Sequence, residues 1–442
     1  MKPIELEILK KLDKKYAKDK ANTIVRHALS HNELANLALT NDTLKDMDFN
    51  FSLSVDTMAI TNQKQSGRCW IFAACNVLRE DIAKRCKISN FELSQSYVAF
   101  YDKLEKLNLT LEILIELIDK DYDDRTLQFI LENGIGDGGQ WDMFVNVVRK
   151  YGVCPKNAYV ETATSSSTRI LNQLVNSELR HFASESREVL KKAGMEGVYA
   201  LKDNYMERFY FALVNCYGVP PAKFDFEFTD KDGKYRLEKG YSPLSFYEKY
   251  VGKSLEDYVS VINAPTKTKP FMKSYTVKYL GNVVGGKRVK HLNLPIERLE
   301  ELAIAQLKDK QIVWFGSDVS FYRDNSVMRW DDEAFDYKSI VNLDFKMDKG
   351  EAIDFRCSQM NHAMCITGVN LKKGLPTKWK IENSWGDMGP HGGYFMMSES
   401  WFSRYTYQAV INKKYLTKEE LEAYEKEPVE LKPWDPMGSL AD

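Results

Sequence analysis

Residues 63–73 read QKQSGRCWIFA, and this stretch decides the fold. Gly67 and Arg68 make a tight turn ahead of Cys69. The run WIFAACNVLREDIAKRC (70–86) then places Ile71, Ala74, Leu78 and Ile82 on one face, which predicts a buried helix starting at Trp70. Cys69 therefore falls at a helix N-terminus, where the macrodipole and free N–H groups favour thiolate over thiol. A thiolate is the form that attacks a carbonyl. On residue type alone a cysteine is more often a small buried hydrophobe, so the context carries the assignment of Cys69 as a nucleophile.

A thiolate needs a proton carrier, and imidazole titrates near working pH. His362 heads a strand-like apolar run, NHAMCITG (361–368), so its ring can face a cleft. His27 and His31 are spaced for one helix face, but Ala28 after His27 breaks the H-E-x-x-H zinc pattern. Solvated or capping roles are expected for both. His181 and His291 carry no partner signal, and His391 lies in a Gly-rich turn. The histidine must be held in one tautomer, which a side-chain amide does by accepting the Nδ1–H. Asn383 suits that role, because it follows the strand KWKIE and precedes Ser-Trp-Gly in IENSWGDMGPHGGYF (381–395). Trp385 is placed to cover the bond and border the substrate; read alone, it is a core tryptophan at a strand end.

The bulk numbers exclude several classes. The 442 residues are 44% hydrophobic and 28% charged, an ordinary globular composition. With 62 Lys+Arg against 63 Asp+Glu, the net charge is −1, which gives no footprint for nucleic acid. Residues 1–25 lack the apolar run of a secretory signal, and no stretch reaches the ~20 apolar residues of a membrane span. The seven cysteines (69, 75, 86, 154, 216, 357 and 365) suggest no disulfide framework. A cytoplasmic location is the expectation.

The first 40 residues read as helix, as do about 92–132, the stretch up to Lys150, and 168–216; 217–245 is turn-rich. From about 271, short β-branched and aromatic runs appear: Tyr275–Leu280, Ile312–Phe315, Ala363–Val369, Trp379–Glu382 and Gly393–Met397. A helical first half and a strand-rich last third make an α+β protein. Two nucleotide motifs fail on context. GIGDGG (134–139) follows a helical rather than a strand pattern. GNVVGGK (281–287) lacks the Ser or Thr of a P-loop, and Gly285-Gly286 reads better as a hairpin turn.

Together these segments resemble the papain-like cysteine peptidases, which carry nucleophile, histidine and asparagine in this order, with Trp after Cys. The resemblance implies a papain-like core with a helical left half and an antiparallel, barrel-like right half. It makes Gln63, six positions before Cys69, the oxyanion-hole glutamine, in preference to Gln65. It also makes Gly138 and Gly139, in GDGGQWDMFVNVVRKYGVCPKNAY (136–159), the main-chain contacts for an extended peptide. Ser66 stands where the secreted enzymes carry a disulfide cysteine. His362 follows Cys69 by 293 residues (362 minus 69), against ~130–150 in papain and cathepsins, so large insertions are expected.

A core of that kind, ending in KPWDPMGSLAD, resembles the bleomycin hydrolase and aminopeptidase C family. That implies a helical arm at 1–50, a left half at 51–160 with an insertion near 104–133, and an inserted helical and hook region at 161–270. A right half at 271–425 and a tail at 426–442 lying in the cleft complete the organisation. It further implies a homohexamer, peptide substrates, no metal or organic cofactor, no membrane and no nucleic acid partner. A tail carboxylate would receive the substrate's α-amino group. Here Asp442 follows the alanine at which relatives commonly end, and it is the candidate for that contact. A thiol endopeptidase whose tail leaves the cleft open, and a non-catalytic binding protein of the same fold, are the rival readings.

Overall fold

The computed structural model describes residues 1–344 and 347–441, without side-chain detail at 252–254. The helix Cys69–Cys86 is buried on nearly every side, as its composition requires, and ends at Lys87 in a left-handed conformation (φ 53°). It packs on the strand His362–Lys372. Cys365 Sγ donates to the Ala73 carbonyl at 3.3 Å, and Trp314 Nε1 donates to the Trp70 carbonyl at 3.1 Å. Helix Gln95–Glu116, whose Ser94 side chain caps its start, and helix Trp141–Tyr151 complete the helical half.

Across the cleft lies one large sheet. Its centre runs Thr406–Asn412, Val313–Ser317, His362–Lys372, Leu375–Glu382 and Tyr394–Ser398, every neighbour antiparallel. The expected antiparallel right half is this centre. Parallel pairings sit nearer the margins, between Tyr258–Ile262 and His291–Asn293, Lys273–Val277 and Val429–Leu431, and Tyr394–Ser398 and Arg329–Trp330. The architecture is α+β, with the cleft between the helical half and the sheet.

The helical stretch Arg169–Tyr217 folds back on itself at Gly194, which has φ 64° and ψ −166°. Tyr205 thereby hydrogen-bonds Glu185 at 2.8 Å and His181 Nδ1 at 3.0 Å. The stretch 217–245, expected to be turns, contains an antiparallel hairpin, Phe224–Thr229 with Tyr235–Tyr241. Phe224 and Phe226 pack there on Phe246, a contact too distant in sequence for local turn signals to reveal. Helix Arg125–Asn133 precedes Gly134, so the strand required for dinucleotide binding is absent there. Gly285, at φ 75°, lies in a tight turn closed by the Gly286 N–H on the Val283 carbonyl at 3.0 Å, within the longer connection between the antiparallel strands Lys273–Val277 and His291–Asn293.

Candidate active site

Cys69 is the first residue of its helix and is 4% exposed. Arg68 precedes it without capping the helix. Instead its guanidinium forms two 3.1 Å contacts with Glu161, and its Nε donates to Ser66 Oγ at 2.9 Å. Ser66 Oγ donates in turn to the Gln63 carbonyl at 2.6 Å. Hydrogen bonds through Ser66 thus hold the loop before Cys69. Burial pushes the Cys69 thiol up to about 11; N–H groups of Ala363, Trp70 and Cys69 itself act the other way and are outweighed. Desolvation of the sulfur thus opposes the helix terminus, which favours the thiolate.

His362 opens its strand on the opposite wall and is 5% exposed. The N–H of the next residue, Ala363, donates to Cys69 Sγ at 3.4 Å, which places the sulfur beside the start of the strand that carries His362. Asn383 lies just past the neighbouring strand, where Cys365 pairs with Glu382. Its Oδ1 meets His362 Nε2 at 2.8 Å and also accepts the Ser384 N–H at 2.8 Å. The ring nitrogen engaged by the amide is therefore Nε2, not the expected Nδ1. The reason is positional. Nδ1 is the nitrogen nearer the histidine's own backbone, and that backbone is where the sulfur sits. Burial pulls the imidazole down to about 4; the Asn383 contact opposes this, and the charge of Arg323 adds to it. Burial therefore acts on both groups in the direction of their neutral forms.

Trp385 stacks on His362 with centroids 5.0 Å apart and planes at 29°, and it meets Phe395 edge-on at 5.5 Å. The Trp385 ring thus lies against the imidazole that meets Asn383. Gln63 is fixed from both ends of its amide: Ser384 Oγ donates to Oε1 at 2.6 Å, and Nε2 donates to the Ser66 carbonyl at 2.7 Å. An amide nitrogen carries two N–H bonds, so one remains for another acceptor. Gln65 is exposed, and its N–H pairs with the Ser166 carbonyl instead.

Gly138 and Gly139 form part of the facing wall. A Cβ on Gly139 would lie 2.5 Å from the Trp70 ring, so close packing demands glycine there. The Gly139 N–H is already engaged: it donates to the Leu440 carbonyl at 2.9 Å. The tail turn Pro436–Ala441 is mostly buried and is pinned by Ser439 Oγ, which donates to the Met360 carbonyl at 2.6 Å. Upstream, Arg125 lies 3.9 Å from the Trp434 ring centroid. Asp442 lies outside the described residues.

Sequence reasoning missed the polar hub behind this wall. Asp137 accepts from the Gly67 N–H at 3.1 Å, from Asn172 at 3.1 Å and from Thr168, and it pairs with Lys103 at 2.9 Å. Burial works against its charge, but Lys103 and these donors hold the carboxyl well below the usual range. Lys106 donates to the Gly138 carbonyl and pairs with Asp102 at 2.8 Å. The nearly buried Lys103 and Lys106 within a helix were the available signal, since lysine is rarely buried unpaired.

The other histidines fall elsewhere. His291 is buried against Ser260 at 2.7 Å, His391 stacks on Phe49 at 4.0 Å, and His27 and His31 are exposed. Among the described residues no group of three or more His, Cys, Asp or Glu is placed to hold a metal, and no helix is long and apolar enough to cross a membrane.

A cysteine at a helix start facing a histidine at a strand start, across the cleft of a two-part α+β core, defines the class: a papain-like cysteine peptidase. The chain belongs to the Peptidase C1-like family, whose model matches residues 3–438. It is 44% identical over 444 residues to Aminopeptidase C of Lactobacillus delbrueckii subsp. lactis, covering 100% of this chain and 99% of that one. It is 38% identical over 403 residues to human bleomycin hydrolase, covering 89% of each. A crystal structure of PepW from Lactobacillus rhamnosis superposes with a TM-score of 0.96 at 43% identity, over 99% of both chains.

Proposed function

We propose that this chain is a cytoplasmic cysteine aminopeptidase that hydrolyses peptide bonds near a free N-terminus. The observation that carries the reading is the Leu440 carbonyl on the Gly139 N–H, a main-chain contact of the kind an extended substrate makes. A cleft plugged on that side by Pro436–Ala441 admits few residues before the scissile bond. A carboxylate at Asp442, just beyond, would reward a substrate whose ammonium ends there.

Burial favours the neutral form of both Cys69 and His362 before substrate binds. As the sulfur attacks the peptide carbonyl, its proton passes to His362 Nδ1, and the Nε2–Asn383 bond holds the ring in position. The free N–H of Gln63 and the backbone N–H of Cys69 take up the developing oxyanion. His362 protonates the leaving amine, then draws a proton from water as it hydrolyses the thioester. Side chains and water balance every step. The helices Leu6–Tyr16 and Lys20–Leu29 bury none of their residues, which supports assembly with further copies, a homohexamer in this reading.

The test uses two matched fluorogenic peptides under reducing conditions, one with a free N-terminus and one acetylated, with Cys69→Ala alongside. Cleavage of the free peptide alone, lost in the variant, is expected. Internal cleavage of the acetylated peptide would replace this reading with an endopeptidase. Full activity in Cys69→Ala would overturn the mechanism.

A further inference from the structure

We propose that Arg323 receives a substrate carboxylate on the leaving-group side of the scissile bond. The inference rests on the peptidase reading above and names the substrates that the same site favours.

The hairpin Arg323–Asp324 with Arg329–Trp330 is joined to the main sheet through Met397, which pairs with Trp330. Successive strand residues face opposite ways. Asp324 turns inward to pair with the fully buried Arg329 at 3.2 Å, and Arg329 also donates to Thr43 at 3.1 Å. That fixes the hairpin and leaves Arg323 on the open side. Its guanidinium carbon lies 5.9 Å from the centroid of Trp385, the ring stacked on His362.

Arg323 has no hydrogen bond or ion pair among the described residues. The carboxylate that acts on its charge is Asp318. Asp318 is already committed: Ser320 N–H and Asn361 Nδ2 occupy one oxygen at 2.9 and 2.7 Å, and Ser358 Oγ occupies the other at 2.7 Å. By contrast Arg68, Arg79 and Arg329 are each paired with a carboxylate. Arg323 is thus a partly desolvated cation at the cleft, with its fork of donors unspent.

Direction follows from the tail. Leu440 marks the acyl side on Gly139, so the amine departs past His362 and along Trp385, where Arg323 waits. A guanidinium takes a carboxylate through paired N–H bonds. Two sources offer one there: the α-carboxylate of a dipeptide, or an Asp or Glu side chain just after the cleaved bond. Burial is the main cause of the lowered His362 pKa, and either carboxylate would offset the smaller contribution of the Arg323 charge, making His362 a better acceptor for the Cys69 proton.

The test compares kcat/KM of the full chain for Leu-Gly, Leu-Glu-amide and neutral Leu-Gly-amide, in wild type and in Arg323→Gln. A leucine fluorogenic amide serves as the check on peptidase activity. We expect at least one carboxylate-bearing substrate to exceed the neutral one by about tenfold, and the ratio to fall to about twofold or less in Arg323→Gln. An advantage confined to Leu-Gly assigns the chain-terminal carboxylate, and one confined to Leu-Glu-amide assigns the side chain. Equal rates for all three in wild type, with the fluorogenic amide cleaved, would overturn the inference and leave the aminopeptidase standing. A ratio that survives Arg323→Gln would also overturn it. Failure of wild type to cleave any of the four would remove the aminopeptidase reading and this inference together.

Discussion

The cleft and the N-terminal arm are built on opposite terms. Around Cys69 the chain ties its own side chains and backbone together: Gln63 to Ser384 and Ser66, Asn383 to His362, Arg68 to Glu161 and Gly139 to Leu440. In the arm, Leu6–Tyr16 and Lys20–Leu29 have no buried residue, and Ile4, Leu6, Leu12 and Ile24 are among the most exposed large apolar side chains. The cleft is finished by bonds within this chain. The arm presents an apolar stripe that nothing in this chain covers among the described residues, and an exposed apolar surface of that kind marks an interaction face. The cleft is ordered from within, whereas the arm helices bury none of their residues.

The largest effect should come from loosening the cleft at its most constrained donor. Gln63→Ala removes the free amide N–H and leaves Ser384 Oγ without its acceptor. Loss of one oxyanion donor costs about 10²–10³ in kcat, so steady-state kinetics on a free N-terminal peptide should show a fall of that order. A fall of less than about tenfold would mean that the order around Gln63 serves only to hold the loop.

The second effect concerns what the tail does to Cys69. With its pKa raised to about 11 by burial, the thiolate fraction should climb about tenfold per pH unit from pH 7 to 10. Iodoacetamide alkylation of Cys69, followed by mass spectrometry, should track that climb without levelling off. Deleting 436–442 removes the turn bound to Gly139 and Met360, and should admit water towards the sulfur and bring the bend to lower pH. At pH 8 the truncated protein should react about tenfold faster. A full-length profile already flat above pH 8 would mean that the helix N-terminus outweighs burial after all.

What the sequence revealed follows the same division. Cys69, His362 and Asn383 were legible because each sits at an element boundary that local pattern marks: a turn before a helix, the start of a strand, the end of a strand. The ring nitrogen that meets Asn383 was not legible, because it depends on how two strands place their ends relative to the cysteine helix. Asp137 was hidden for a similar reason, since its partners Gly67, Lys103, Thr168 and Asn172 come from separate stretches of chain. The hairpin at 224–241 escaped because its aromatic partner Phe246 lies outside it. The tail's position came from family resemblance alone; nothing in PMGSLA by itself points to Gly139.

The smallest effect on chemistry, and the sharpest test of the contrast, comes from removing the arm. A cut after residue 31 spares the anchor that follows, where Thr40 N–H donates to the Ala334 carbonyl and Asp336 N–H donates to the Ala38 carbonyl, both at 2.8 Å. No bond named around Cys69 or His362 involves the deleted residues, so the cleft should keep its geometry. Sedimentation velocity should then show the full chain as a hexamer and the truncated chain as a smaller species, with kcat on a free N-terminal peptide changed by no more than a few-fold. Isolated helices of ten or eleven residues are marginal in water, so the arm's helicity should itself depend on a covering surface. If the truncated chain still assembles fully, the apolar stripe is not what joins the copies. If assembly survives while kcat collapses, the arm belongs to the cleft after all, and the division between the two regions fails.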